Sequence, residues 1–181
     1  LDKSPTEYQG YLIRSDFRIG IQIQQALEDV ELDETERTLN ALVLLYGNGI
    51  PDDINIAING LRWFLSCGEA EENVINEIET DLAYDFYIDN AYIYSAFYQM
   101  YGISLDKDRL HWFKFIALFK SLKNTALSDI MYYRTVDTSK MSKEQKAEYN
   151  EIKRRYKIHK ATPQKMEQLK AIYGSKWKNH I

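Results

Sequence analysis

Cysteine occurs once in this 181-residue chain, at Cys67. One thiol can close no intramolecular disulfide and build no multi-cysteine zinc site. Such sparing use fits a reducing compartment. Histidine is nearly as scarce, with His111, His159 and His180. No two of them stand four residues apart, so the HExxH zinc arrangement is absent. GxGxxG, P-loop and GxSxG patterns are missing as well, and we expect neither a cofactor nor a metal. No apolar run is long enough to cross a bilayer, so no membrane association is expected. No charged-then-apolar leader precedes Tyr11, and secretion through a signal peptide is not expected either. Breakers are few: eight glycines and three prolines.

What remains is rich in Leu, Ile, Ala, Glu and Lys, which favour helix. The hydrophobic share of 45% and charged share of 28% suit a soluble globular chain. We read an all-α architecture: a compact helical core domain over 1–140 with a short extended N-terminal piece, then a basic helical C-terminal appendage over 141–181. The formal net charge of −4 conceals an asymmetry. Residues 1–106 carry 20 acidic and 5 basic side chains, a net −15, whereas residues 107–181 carry 7 acidic and 18 basic, a net +11. Such polarity fits solvated faces, or head-to-tail association between copies.

Along the chain, Tyr8 to Ile13 reads as extended, with a turn at Gln9-Gly10. Ser15 or Asp16 caps a helix whose face is Phe17, Ile21, Ile23, Gln24 and Leu27. Asp33-Glu34 opens a second helix through Leu39, Leu42, Val43 and Tyr46, stopped at Gly47-Asn48-Gly49. Pro51 falls in the first turn of a third helix, with Ile54, Ala57, Ile58, Leu61, Trp63, Phe64 and Leu65 at helical spacing and Cys67-Gly68 at its end. Glu69 to Glu79 is an acidic linker. Two aromatic helices follow, one from Asp89 or Asn90 to Gly102 and one opening at Leu105-Asp106, each apolar almost all round and so expected to be buried on every face. Phe97, Trp112, Phe115, Ile116 and Phe119 should centre the core, with Trp63 and Phe64 nearby. A short helix from Ser128 to Val136, a charged one from Ser142 to about Ile158 capped by Asp137-Thr138-Ser139, and an amphipathic piece from Thr162 to Tyr173 complete the pass.

The groups that could carry chemistry are few. Glu77, Asp81, Asp85 and Asp89 recur every fourth residue and would form one carboxylate stripe on a helix. A cation needs several convergent oxygens, so a solvated acidic face or a cap for the next helix is the better reading. His111, on the polar edge of an aromatic helix, reads as a hydrogen-bonded structural residue. Cys67 has no local base or orienting partner and reads as a half-buried thiol. Two surfaces could bind protein. One is the tyrosine cluster, with Tyr92, Tyr94 and Tyr98 foremost, since tyrosine pairs contact area with a hydroxyl that tolerates water; core packing is the competing account. The other is Lys153, Arg154, Arg155 and Tyr156, with Lys157, His159 and Lys160 beyond. A basic helix end can dock an acidic protein or contact phosphates, so nucleic-acid binding through the basic half is the alternative function.

The motifs Arg14-Ser15-Asp16-Phe17-Arg18, Ile50-Pro51-Asp52-Asp53, Leu61-Arg62-Trp63-Phe64 and Cys67-Gly68 stand in one order along the chain. Asp89, Tyr92-Ile93-Tyr94-Ser95-Ala96-Phe97, Tyr101-Gly102-Ile103 and Leu105 follow. Leu110-His111-Trp112-Phe113-Lys114-Phe115, Ala117-Leu118-Phe119, Leu122, Ile130-Met131, Tyr133-Arg134 and Asp137 close the run. In combination they resemble the "gene product fifteen" family of long non-contractile-tailed phages and prophages of Gram-positive bacteria, from about Tyr11 to Tyr156. The resemblance implies a non-catalytic tail-assembly chaperone, the downstream partner of a companion short chaperone. It implies that the protein coats the tape-measure protein and recruits tail-tube protein in the host cell cytoplasm. It also implies absence from the mature virion. A chain that begins at Leu1 rather than methionine fits a trimmed product or the downstream part of a longer one.

Overall fold

The computed structural model describes residues 4–69 and 83–158. A two-stranded hairpin opens the fold, β1 (Glu7–Tyr8) antiparallel to β2 (Tyr11–Leu12), with Tyr8 opposite Tyr11. Its turn residues Gln9 and Gly10 have φ of 49° and 85°. A two-residue type I′ turn needs positive φ at both positions. Seven helices follow among the described residues: α1 (Phe17–Leu27), α2 (Glu34–Tyr46), α3 (Ile54–Leu65), α4 (Asn90–Tyr101), α5 (Trp112–Lys120), α6 (Ala126–Thr135) and α7 (Lys143–Tyr156).

Caps set most of these boundaries. The Asp16, Asp33 and Asp53 carboxylates each accept a backbone N–H from the first turn of α1, α2 and α3. Thr125 and Ser142 close capping boxes with Ser128 and Gln145 on α6 and α7. Gly102 ends α4 in the left-handed conformation, φ 66°. Arg18 extends the first cap. Its guanidinium bonds the Asp16 carboxylate at 3.1 Å and donates to the Leu105 carbonyl at 2.7 Å, tying α1 to the loop before α5. A short antiparallel bridge reinforces that link: Phe17 N–H donates to the Leu110 carbonyl and Trp112 N–H to the Ser15 carbonyl.

The core is aromatic. Phe115 stacks on Phe17 at 4.7 Å and on Phe97 at 5.0 Å between ring centroids, and Trp112 and Phe119 flank it. Phe64 lies 6.1 Å from Trp112, which brings α3 in from the other side. Phe17, Phe64, Phe97, Trp112 and Phe115 are all fully buried. Tyr46 reaches across to donate to the Ala57 carbonyl at 3.3 Å. Burial, then the neighbouring Tyr8, pushes its hydroxyl pKa up to about 12, so it stays a donor at every physiological pH.

Several expectations are corrected. α4 is not buried all round: it buries Ile93, Ala96 and Phe97 and leaves Tyr92, Tyr94 and Tyr98 exposed. Hydropathy alone does not separate tyrosine's apolar ring from its wettable hydroxyl, so the sequence leaves interface and core packing both open for these tyrosines. α5 starts at Trp112, not at Leu105-Asp106. Ser104 N–H donates to the Asp108 carboxylate and the Ser104 hydroxyl to Asp106, closing a turn where a helix was expected. Ile116 is half-buried at the edge of the core, not at its centre. On α2, Leu39 and Val43 face solvent, and Ala41, Leu42, Leu45 and Tyr46 point inward. On α1, Ile19 and Gly20 are buried while Ile21 and Gln24 are only partly so. Pro51 precedes the Asp53 cap and is not in the helix. Ser142, not Asp137-Thr138-Ser139, caps α7, and α6 opens at Ala126, two residues before Ser128. Glu77, Asp81, His159, His180, nearly all of the acidic linker and the Thr162–Tyr173 piece lie outside the described residues.

Candidate functional site

The tyrosine surface forms on α4, a helix with no charged residue anywhere along Asn90–Tyr101. Helical residues turn by about 100° each, so Tyr94 and Tyr98 share a face and Tyr92 projects from a different flank. The Tyr94 and Tyr98 rings are parallel within 4°, at 6.4 Å. The Tyr94 hydroxyl lies 3.2 Å from the Ser104 hydroxyl, which fixes the pair against the following loop. Tyr98 is 61% exposed, so the patch is an uncharged aromatic ledge open to solvent.

The second expected group sits on α7. Arg154 and Arg155 are exposed, and Arg155 lies 3.9 Å from Glu151 in a solvent-facing pair. Such a pair contributes little to stability. Lys153 is half-buried. Tyr156 is not a free contact residue: its ring stacks on Tyr133 of α6 at 6.4 Å, and its carbonyl accepts from the Arg134 guanidinium. α4 and α7 each pack on α6.

What joins them is a buried ion pair. Asp89 is 1% and Arg134 4% exposed. The guanidinium grips the carboxylate with two bonds, Nη1 to Oδ2 at 2.6 Å and Nη2 to Oδ1 at 2.9 Å. It also donates to the Ala83 carbonyl at 3.1 Å and, through Nε, to the Tyr156 carbonyl at 2.6 Å. Asp89 Oδ2 accepts the Asp85 N–H as well. One arginine thus ties the approach to α4, the start of α4, and the end of α7 to α6. The Asp89 carboxylate is turned away from its own helix and gives α4 no side-chain cap. Asp85 accepts the Tyr87 and Ile88 N–H groups and caps the turn before α4. Both described members of the carboxylate stripe are therefore structural. The stripe rule missed the pair, though a cation inside the apolar run Ile130-Met131-Tyr132-Tyr133-Arg134 was a usable signal: buried charges need partners.

Among the described residues the one histidine is engaged and the one cysteine is held as the thiol. His111 N-caps α5, its Nδ1 accepting the Phe113 N–H at 3.1 Å, and its Nε2 lies 2.8 Å from the Pro5 carbonyl. The two contacts together require the Nε2–H tautomer. Burial pushes the Cys67 thiol pKa up to about 11, against a smaller opposing pull from Lys120. Only the thiolate is reactive, so Cys67 should be alkylated by iodoacetamide at pH 7.5 about a hundredfold more slowly than the same thiol in denaturant. Equal rates would overturn this account of its surroundings. A shallow groove of about 400 Å³ runs beside Tyr84, Ile116, Phe119 and Met131. Ser128, which also lines it, donates its hydroxyl to the Thr125 carbonyl. Among the described residues no group of His, Cys, Asp and Glu is placed to hold a metal ion, and no helix is long and apolar enough to cross a membrane.

These features define a helical module with an aromatic core, an uncharged tyrosine ledge and a buried arginine node. The family described as bacteriophage Gp15 protein matches residues 2–158. The chain belongs to that family and is a bacteriophage protein. No curated protein and no solved structure matches it.

Proposed function

We propose that the protein is a non-catalytic chaperone of phage tail assembly. It holds tape-measure or tail-tube protein in the host cytoplasm, works beside a companion short chaperone, and leaves before the virion is complete. The observation that carries this reading is the α4 ledge. An exposed helix is ordinarily charged on its solvent side, and α4 has no charge on any side. Tyrosines fixed by packing give contact area at low entropic cost and are enriched where proteins grip one another. Family membership supplies the phage setting.

The test is co-expression with a phage tape-measure gene and a phage tail-tube gene. The wild-type protein should keep the tape-measure or tail-tube product soluble and co-purify with it. Tyr94→Ser with Tyr98→Ser should weaken capture at least tenfold, about 1.4 kcal/mol, with an unchanged circular dichroism spectrum. Undiminished capture by a folded double variant would sink the ledge as the gripping surface. The exposed Arg154 and Arg155 motivate a second reading, duplex nucleic-acid binding, which a gel shift at physiological salt separates from the first. Association of copies through the acidic and basic halves belongs to the same proposal and should weaken as salt rises.

A further inference from the structure

α7 is held differently from the other described helices. None of its residues is buried, whereas α1 to α6 each bury three or more. Among the described residues its attachment to α6 includes tyrosine ring contacts, a Tyr149–Tyr132 side-chain hydrogen bond and one charged hydrogen bond. Tyr149 meets Tyr132 at 6.4 Å and Tyr133 at 6.0 Å, Tyr156 stacks on Tyr133, and the Tyr156 carbonyl accepts from Arg134 Nε. Its helicity is specified locally: the Ser142–Gln145 capping box and Glu144 stand at its start, Lys153, Arg154 and Arg155 at its end. The connection from α6 carries its own turn, with Asp137 accepting the Ser139 N–H and hydroxyl. Segments with few buried apolar contacts open at free energies below that of global unfolding.

We propose that α7 is a detachable strap over the tyrosine face of α6, and that this face accepts a competing helix when the strap opens. The strap defines the chemistry of that helix: two tyrosines seven residues apart, and a C-terminal carbonyl for Arg134. Opening removes ring contacts and the Arg134–Tyr156 bond but leaves Arg134 paired with Asp89 and Ala83, so α4 and α5 need not unfold with it. The inference goes beyond tail assembly and does not depend on it.

Native-state hydrogen exchange on the full chain tests the strap. Amides of α7 should exchange at least tenfold faster than those of α4 and α5. Tyr149→Ala should speed α7 further and leave α4 and α5 unchanged. Protection of α7 equal to that of α4, or a Tyr149→Ala effect spread evenly over all helices, would overturn the proposal. A labelled synthetic peptide of residues 142–158 tests the face. It should bind the full-length Tyr149→Ala variant at least tenfold more tightly than wild type, with binding lost when Tyr133→Ala is added. Failure to bind the variant, or equal binding to both proteins, would show that α6 offers no exchangeable site.

Discussion

Replacing Arg134 by methionine should remove about 3–5 kcal/mol of folding stability, because it strands the buried Asp89 carboxylate. Methionine preserves much of the volume, so the loss measures the uncompensated charge and the orphaned carbonyls of Ala83 and Tyr156, not a cavity. Asp89→Asn should cost less, since the amide oxygen can still accept from the guanidinium. The double variant Arg134→Met with Asp89→Leu should be much less destabilised than the sum of its single changes. A buried pair replaced as a pair loses its Coulomb attraction and its desolvation cost together. Urea unfolding of the four proteins gives the cycle. An Arg134→Met protein within 1 kcal/mol of wild type would show that solvent or a neighbouring group already compensates Asp89.

That node marks where sequence reasoning stopped. The helical order was legible because its signals are local. Asp16, Asp33 and Gly102 act within one turn of their helices, and Gln9-Gly10 fixes its own turn. The core aromatics Phe97, Trp112, Phe115 and Phe119 were legible because nothing but burial suits them at helical spacing. The outer limits of that logic were equally physical. Tyr94 and Tyr98 have the same period as core residues, and only the packed structure decides which side of α4 is wet. Arg134 and Asp89 stand 45 residues apart, so no local pattern links them. The start of α5 was lost to a side-chain effect: Ser104, Asp106 and Asp108 bond one another and compete with the helix. Of the candidate site, residue identities on α4 and α7 were legible. Their common packing on α6, and the role of Tyr156 in attaching α7, could not be read from either segment alone.

Trp112 is the largest fully buried side chain among the described residues. It is fully buried against Phe64, Phe86 and Phe115, and Trp112→Ala should cost about 3–5 kcal/mol. Its indole N–H has no hydrogen-bond partner among the described residues. A buried donor left unsatisfied costs about 1–3 kcal/mol, so Trp112→Phe should be tolerated far better than the lost area suggests. Gly20 in α1 is the other half of this contact: a Cβ there would overlap the six-membered ring of the indole. Gly20→Ala should therefore destabilise the wild-type protein by about 1–3 kcal/mol, the usual cost of overpacking. With Trp112→Ala already present, the same change should reverse sign. The space is then empty, and alanine is about 1 kcal/mol better than glycine inside a helix. Denaturant midpoints of the four proteins read out the cycle. A Gly20→Ala effect of the same sign and size in both backgrounds would show that α1 and Trp112 are not in the close contact that places α1 against the core.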